Sequence, residues 1–152
     1  MVKLIRASYE DAEIMSQCMR AAYSKEIFDF DDKNEVNKHP TPDNIRYHIE
    51  HNIYYKIELD GAIIGGVFIV EEDEHTVSIQ DFCISPNHQN KGYGQSVIKE
   101  LENIHGDRKK WELTTPVYSV RNQRLYEKHG YMQVKIADYG GTLCVYYEKY
   151  LP

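Results

Sequence analysis

The stretch "NHQNKGYGQS", residues 87–96, places two glycines and a lysine in a short polar run. These residue types suit a loop that holds an anion. Glycine lets backbone N–H groups approach a guest closely and tolerates positive φ. If a helix starts here, its first N–H groups are unbonded and its dipole adds about half a positive charge. An anion such as phosphate is a plausible guest, the alternative being a turn that is merely rich in polar residues. Spacing excludes two kinds of phosphate loop. A Walker loop requires G-x-x-x-x-G-K-[ST], which this stretch does not supply. The dinucleotide fingerprint G-x-G-x-x-G/A is met at Gly92 and Gly94, but Val97 holds its third position. A β-branched residue there prevents the close helix–strand contact that glycine allows.

Other residues with chemical potential are fewer. Asp81 alternates with Val77, Ile79 and Cys83, so a regular strand puts it on an otherwise apolar face. A carboxylate there is either a general base of raised pKa or an acceptor of structural hydrogen bonds, and the spacing does not choose. Cys83 has no adjacent histidine to activate it and reads as a small buried hydrophobe. His48 and His51 lack a third ligand and read as a solvated helix face, so no metal is expected. Asp29, Asp31, Asp32 and Glu35 form an acidic stretch that either attracts a cation or is simply solvated. Phe28, Phe30, Tyr54 and Tyr55 are candidates to line the same cleft.

The elements that must position these groups follow from periodicity. "VKLIRAS" reads as a first strand, and Ser8 with Asp11 resembles a capping box. Ile14, Met15, Cys18, Met19 and Ala22 recur at helical spacing, in a helix expected to fade near Tyr23 to Lys25. Thr41 and Pro42 open a second helix. Two β-rich runs flank Asp60-Gly61, the signal of a hairpin. "HTVSIQDFCIS" is a strand, and the helix after the glycine loop buries Val97, Ile98, Leu101 and Ile104. "WELTT" is a strand, "RNQRLYEKHG" a helix stopped by Gly130, and two last strands join across Gly140-Gly141. The tally is about seven strands and about four helices, ordered β-α-α-β-β-β-α-β-α-β-β. That order implies a mixed sheet of the α/β (α+β) class in one domain, residues 1–152, with parallel neighbours at the strand–helix units.

Two motifs together resemble the GNAT family of N-acetyltransferases. Gln89-x-x-Gly92-x-Gly94 fits the acetyl-CoA signature [RQ]-x-x-G-x-[GA], on a strand–loop–helix unit "DFCISPNHQNKGYGQSVIKELE". Downstream, "RNQRLYEKHGY" resembles the family segment L-Y-E-K-x-G-[FY], and the element order matches along the whole chain. The resemblance implies that backbone N–H groups of Gln89, Asn90, Lys91, Gly92, Tyr93 and Gly94, helped by Gln95 and Ser96, grip the pyrophosphate of coenzyme A. Phe82, Cys83 and Ile84 would pair with the pantetheine arm as an added strand does. Tyr126 matches the tyrosine that protonates the departing thiolate. Asp81 is the candidate base, beside a water-mediated base or an amine arriving neutral. Ser119 and Asn122 depart from the family's usual residues. They would bond the pantetheine region, or Ser119 simply caps the helix.

Bulk composition bounds the partners. The chain has 152 residues, 41% hydrophobic, with 13 tyrosines and a net charge of −6. That charge makes the chain a poor candidate for general nucleic-acid binding, which needs a basic face to displace counterions. Cys18, Cys83 and Cys144 are too scattered for a disulfide framework, which points to a reducing, cytoplasmic setting. No apolar run is long enough to span a membrane. The expected reaction is acetyl transfer to a primary amine, preferentially of a small molecule. A protein N-terminus or lysine as acceptor, and a non-catalytic acyl-CoA sensor, are the rival readings. A homodimer rests on family analogy alone.

Overall fold

The computed structural model describes residues 1–30 and 40–152, with side chains for residues 1–24 and 40–152. Asp31, Asp32 and Glu35 lie outside the described residues, as do the side chains of Phe28, Asp29 and Phe30. Strand β1 (Val2–Arg6) leads through a 3-10 turn (Tyr9–Asp11) into α1 (Ala12–Phe30). The Asp11 carboxylate closes this turn, accepting from the Ser8 N–H at 2.8 Å. Helix α1 runs past the Tyr23–Lys25 end expected from periodicity. The residues that follow include no glycine or proline, and lysine and glutamate are good helix formers. Its buried stripe is Ala12, Met15, Ser16, Met19 and Ala22, while Ile14 is half exposed. Ser16 enters that stripe because its hydroxyl donates to the Pro40 carbonyl at 2.7 Å, a partner that periodicity cannot reveal.

In α2 (Pro42–His51), the Thr41 hydroxyl accepts from the Asn44 N–H at 3.1 Å and Pro42 takes the first position. Strands β2 (Ile53–Leu59) and β3 (Ala62–Glu71) form the expected hairpin. Asp60 and Gly61 both carry positive φ, at 51° and 84°, as a tight primed turn requires. Then come β4 (Thr76–Ile84), α3 (Tyr93–Ile104), β5 (Lys110–Pro116), α4 (Val120–Lys128), β6 (Met132–Tyr139) and β7 (Thr142–Tyr150). The seven strands form one sheet in the order β1-β2-β3-β4-β5-β7-β6. Among the described strands only β4 and β5 pair in parallel, joined by the α3 crossover.

Two apolar clusters hold the layers together. In one, Val97, Ile98 and Leu101 of α3 pack with Trp111, Tyr131 and Tyr147. In the other, Met15, Met19 and Ile45 of α1 and α2 pack with Tyr54, Phe68 and Cys83. Ile104, expected in the α3 stripe, is 45% exposed at the helix end. Tyr54 and Tyr55 are buried in different clusters and do not line the cleft. Buried tyrosine hydroxyls find carboxylate partners: Tyr131 donates to Glu102 at 3.0 Å and Tyr147 to Glu127 at 2.6 Å. These bonds tie α3 to the residue just before β6 and α4 to β7, and they satisfy groups whose burial alone would be costly.

Strand β4 is irregular where it matters. The β3–β4 register passes from Phe68 opposite Gln80 to Gly66 opposite Cys83. Val67 therefore faces both Asp81 and Phe82, a β-bulge, and Asp81 takes a φ of 47°. One extra residue reverses the sides of everything beyond it. Val77 and Ile79 pack with the α3 cluster, where Phe82 and Ile84 join them, but Cys83 turns to the α1 cluster. The expectation that Val77, Ile79, Asp81 and Cys83 share one face is thereby corrected. Gly65 makes the kink possible: a Cβ there would lie 2.1 Å from the Cys83 carbonyl oxygen.

Two outcomes are expected. Gly65→Ala should lower stability by about 2 kcal/mol or more, because the collision is with backbone that cannot swing aside; thermal or denaturant unfolding measures it. His105 sits 2.9 Å from the Tyr55 hydroxyl, and burial pushes its pKa below the usual 6.5 despite opposing pulls from Asp107 and Glu71. A base with a lowered folded pKa favours the fold in its neutral form, so its contribution is lost as pH falls below 6.5. Melting temperatures taken across that range should therefore fall less steeply with acid for His105→Phe than for the parent chain.

Candidate active site

The ladder between β4 and β5 covers only Thr76–Ser78 and Lys110–Glu112. Beyond it β4 bulges away while β5 stays paired with β7 as far as Pro116. A cavity of about 500 Å³ opens in the resulting wedge. Its walls are the end of β4 from Ile79 to Ile84, the end of β5 from Thr114 to Pro116, the glycine loop, and α4. Twelve residues marked by the sequence meet here: Asp81, Phe82, Cys83, Ile84, Gln89, Asn90, Gly92, Tyr93, Gly94, Gln95, Asn122 and Tyr126. Lys91, Ser96 and Ser119 do not line it. Lys91 and Ser96 are exposed, and Ser119 is buried at the N-cap position of α4, without a side-chain capping bond.

The loop is shaped by backbone conformation. Asn90 and Gly92 have φ of 62° and 83°, and Gly92 stands at the N-cap of α3. A Cβ on Gly92 would meet no atom within 4 Å, so space there is open to a guest. The two glycines do different work. Gly92 is needed for its left-handed backbone. Gly94 is needed for packing, since a Cβ would stand 3.1 Å from Leu125 of α4. Val97, which bars the dinucleotide reading, is fully buried in the core. Gln89 braces the loop: its amide donates to the Ile84 carbonyl at 2.8 Å and its oxygen accepts from the Arg121 guanidinium.

Three cations on the wall were not singled out by the motifs. Arg121, Arg124 and Lys128 project from α4 into the cavity lining. Their spacing of three and four residues puts them on one helical face, a signal legible in "RNQRLYEK" but overshadowed there by Tyr126. Tyr126 is buried, its ring 6.1 Å from Tyr131 and 6.0 Å from Tyr147, and it also lines the cavity. His48 is no solvated face residue. Its ring stacks on Phe68 at 4.3 Å, and burial, with His51 nearby, lowers its pKa. Among the described residues no group of three or more potential metal ligands occurs, and no helix is long and apolar enough to cross a membrane.

An open left-handed loop at a helix start, three nearby cations and a split parallel strand pair give the cavity the shape and charge that suit an extended, anionic guest. The model of the Acetyltransferase (GNAT) family matches residues 14–131. The chain belongs to that family. Among solved structures, it is similar to a GNAT-family acetyltransferase from Streptococcus agalactiae, with a TM-score of 0.85, 15% identity, and coverage of 99% of this chain and 96% of that one. It is also similar to the PaiA N-acetyltransferase of Thermoplasma acidophilum in complex with coenzyme A, with a TM-score of 0.82 at 15% identity and 99% coverage of both. Aminoglycoside acetyltransferase AAC(6')-Ib, in complex with ribostamycin and coenzyme A, aligns at a TM-score of 0.74 and 17% identity, over 98% of this chain and 93% of that chain. The uncharacterized protein YrkN of Bacillus subtilis (strain 168) is 31% identical over 75 residues, which span 49% of this chain and 40% of that protein.

Gly92→Ala tests the loop. A side chain at this φ costs about 1–2 kcal/mol, so the variant should melt lower and bind acetyl-CoA more weakly in an equilibrium titration. Unchanged binding would show that the loop does not hold the cofactor.

Proposed function

We propose that the chain transfers the acetyl group of acetyl-CoA to a primary amine of a small molecule, directly and within a ternary complex. The observation that carries this reading is that the glycine loop, the bulged end of β4 and Tyr126 line one cavity. Acetyl-CoA bound there supplies an activated thioester. The N–H groups of the Gln89–Gly94 loop and the start of α3 hold the pyrophosphate. Arg121, Arg124 and Lys128 offset the remaining phosphate charge. The backbone of Phe82, Cys83 and Ile84 aligns the pantetheine arm where β5 has departed, and Asn122 adds a polar contact.

The same strand end offers a backbone N–H to the negative charge that builds on the acetyl oxygen. Asp81 takes the amine proton, directly or through water. The Tyr126 hydroxyl gives a proton to the sulfur as the carbon–sulfur bond breaks. Position favours these roles: Asp81 on the bulge and Tyr126 on α4 both line the wedge.

Tyr126→Phe should lower turnover about 10²-fold while leaving acetyl-CoA affinity unchanged. Thiol release with a small-amine panel and a separate binding titration measure the two quantities. Unaltered turnover would remove Tyr126 as the acid.

A further inference from the structure

The β5 wall of the cavity carries a polar side chain that neither motif marks. Thr115 lines the cavity and is 2% exposed. It stands on the α3–α4 side of the sheet. Leu113 and Trp111, two and four residues earlier on β5, belong to the cluster on that side, and so does Val145, the residue opposite Thr115 on β7. Tyr126 belongs to the same cluster.

What Thr115 can offer to the cavity is its hydroxyl. The Val117 N–H donates to the Leu143 carbonyl at 3.0 Å, and the Leu151 N–H to the Lys109 carbonyl at 2.8 Å. Antiparallel strands alternate bonded and non-bonded pairs, so the odd-numbered residues of β5, Thr115 included, direct their N–H and C=O to β7. Thr114 and Pro116 turn theirs to the side that β4 has left. There Pro116 has no N–H, and its carbonyl already accepts from the Gln123 amide at 3.4 Å. The end of β5 is therefore short of backbone donors for a guest, and the Thr115 hydroxyl can supply one.

That hydroxyl is not used within the protein. No described residue forms a hydrogen bond with the Thr115 side chain. Among the described residues, the side-chain polar atom that is sealed and unbonded is His129 Nε2, not Thr115 Oγ1. The Thr115 hydroxyl thus still borders open space, and the cavity is the space that Thr115 lines. A hydroxyl held among apolar neighbours with nothing to bond weakens a fold, and a guest bearing amides relieves that cost.

We infer that the Thr115 hydroxyl is a binding residue for the pantetheine arm of the acyl-CoA, bonding it from the β5 side of the wedge. The inference deepens the acetyl-transfer reading and rests on its choice of cofactor. Coenzyme A and adenosine 3',5'-bisphosphate, which has the nucleotide end and no pantetheine, are titrated calorimetrically into the parent chain, Thr115→Val and Thr115→Ser. Valine keeps the branched shape and removes the hydroxyl, whereas serine keeps the hydroxyl and removes the methyl. Thr115→Val should bind coenzyme A about tenfold more weakly and the bisphosphate as tightly as the parent does. Thr115→Ser should hold coenzyme A within about threefold of the parent. Without ligand, Thr115→Val should melt no lower than the parent, because no bond within the protein is lost.

Unchanged coenzyme A affinity in Thr115→Val would overturn the inference and leave the acetyl-transfer reading standing. So would a lower melting temperature with both ligands weakened, the behaviour of a hydroxyl that holds the fold. Thr115→Ser binding as weakly as Thr115→Val would overturn it as well, since packing would then be the cause. A parent chain that fails to bind coenzyme A would overturn both readings.

Discussion

The structure depends on one backbone event, the extra residue at Asp81 in β4. A regular strand would keep β4 beside β5 to its end, and no wedge would exist. The bulge bends the strand, and Gly65 on the neighbouring strand supplies the room, since a side chain there would strike the Cys83 carbonyl. From this bend follow the opening between β4 and β5, the burial of Cys83 against α1, and the place of Asp81 in the cavity wall. A carboxyl residue with positive φ is uncommon, and here it stands in the wall of the cavity.

The surrounding fold stiffens this bend. Both sides of the sheet are covered by helices with separate apolar clusters, so neither face of β4 is left to water. Carboxylates on α3 and α4 receive the hydroxyls of Tyr131 and Tyr147, and Lys149 reaches Glu102 at 2.8 Å. The helix that carries the glycine loop and the helix that carries Tyr126 are thereby fixed to neighbouring strands. Their mutual distance is set by Gly94 against Leu125. The geometry of the glycine loop and the placement of Tyr126 are in this way coupled through packing rather than through the chain alone.

Much of the fold was legible beforehand because its signals are local. Thr41-Pro42, Asp60-Gly61, Gly130 and the apolar stripes of α2 and α3 report backbone needs within a few residues of themselves. The misread features share a different cause. Helix α1 was shortened because its apolar period fades, although nothing in its sequence breaks a helix. Ile14, expected in the α1 stripe, is half exposed, and Ser16 is buried there because its hydroxyl reaches the Pro40 carbonyl from far along the chain. His48 was read as solvated because Phe68, its stacking partner, belongs to another strand.

By itself, the sequence determined the element order, the parallel unit around α3, the exclusion of nucleotide loops by Val97, and the set Gln89, Gly92, Gly94 and Tyr126. Each depends on residue type at fixed short spacing, where glycine, proline and helical periodicity act within one or two turns. Tertiary structure alone decided which face Asp81 and Cys83 take, that Gln89 is clasped by Arg121, that Arg124 and Lys128 join the wall, and that a cavity opens at the bulge. Those outcomes depend on the register between strands distant in sequence. A single inserted residue in that register reverses every side chain beyond it, and no local pattern in "SIQDFCIS" announces the insertion.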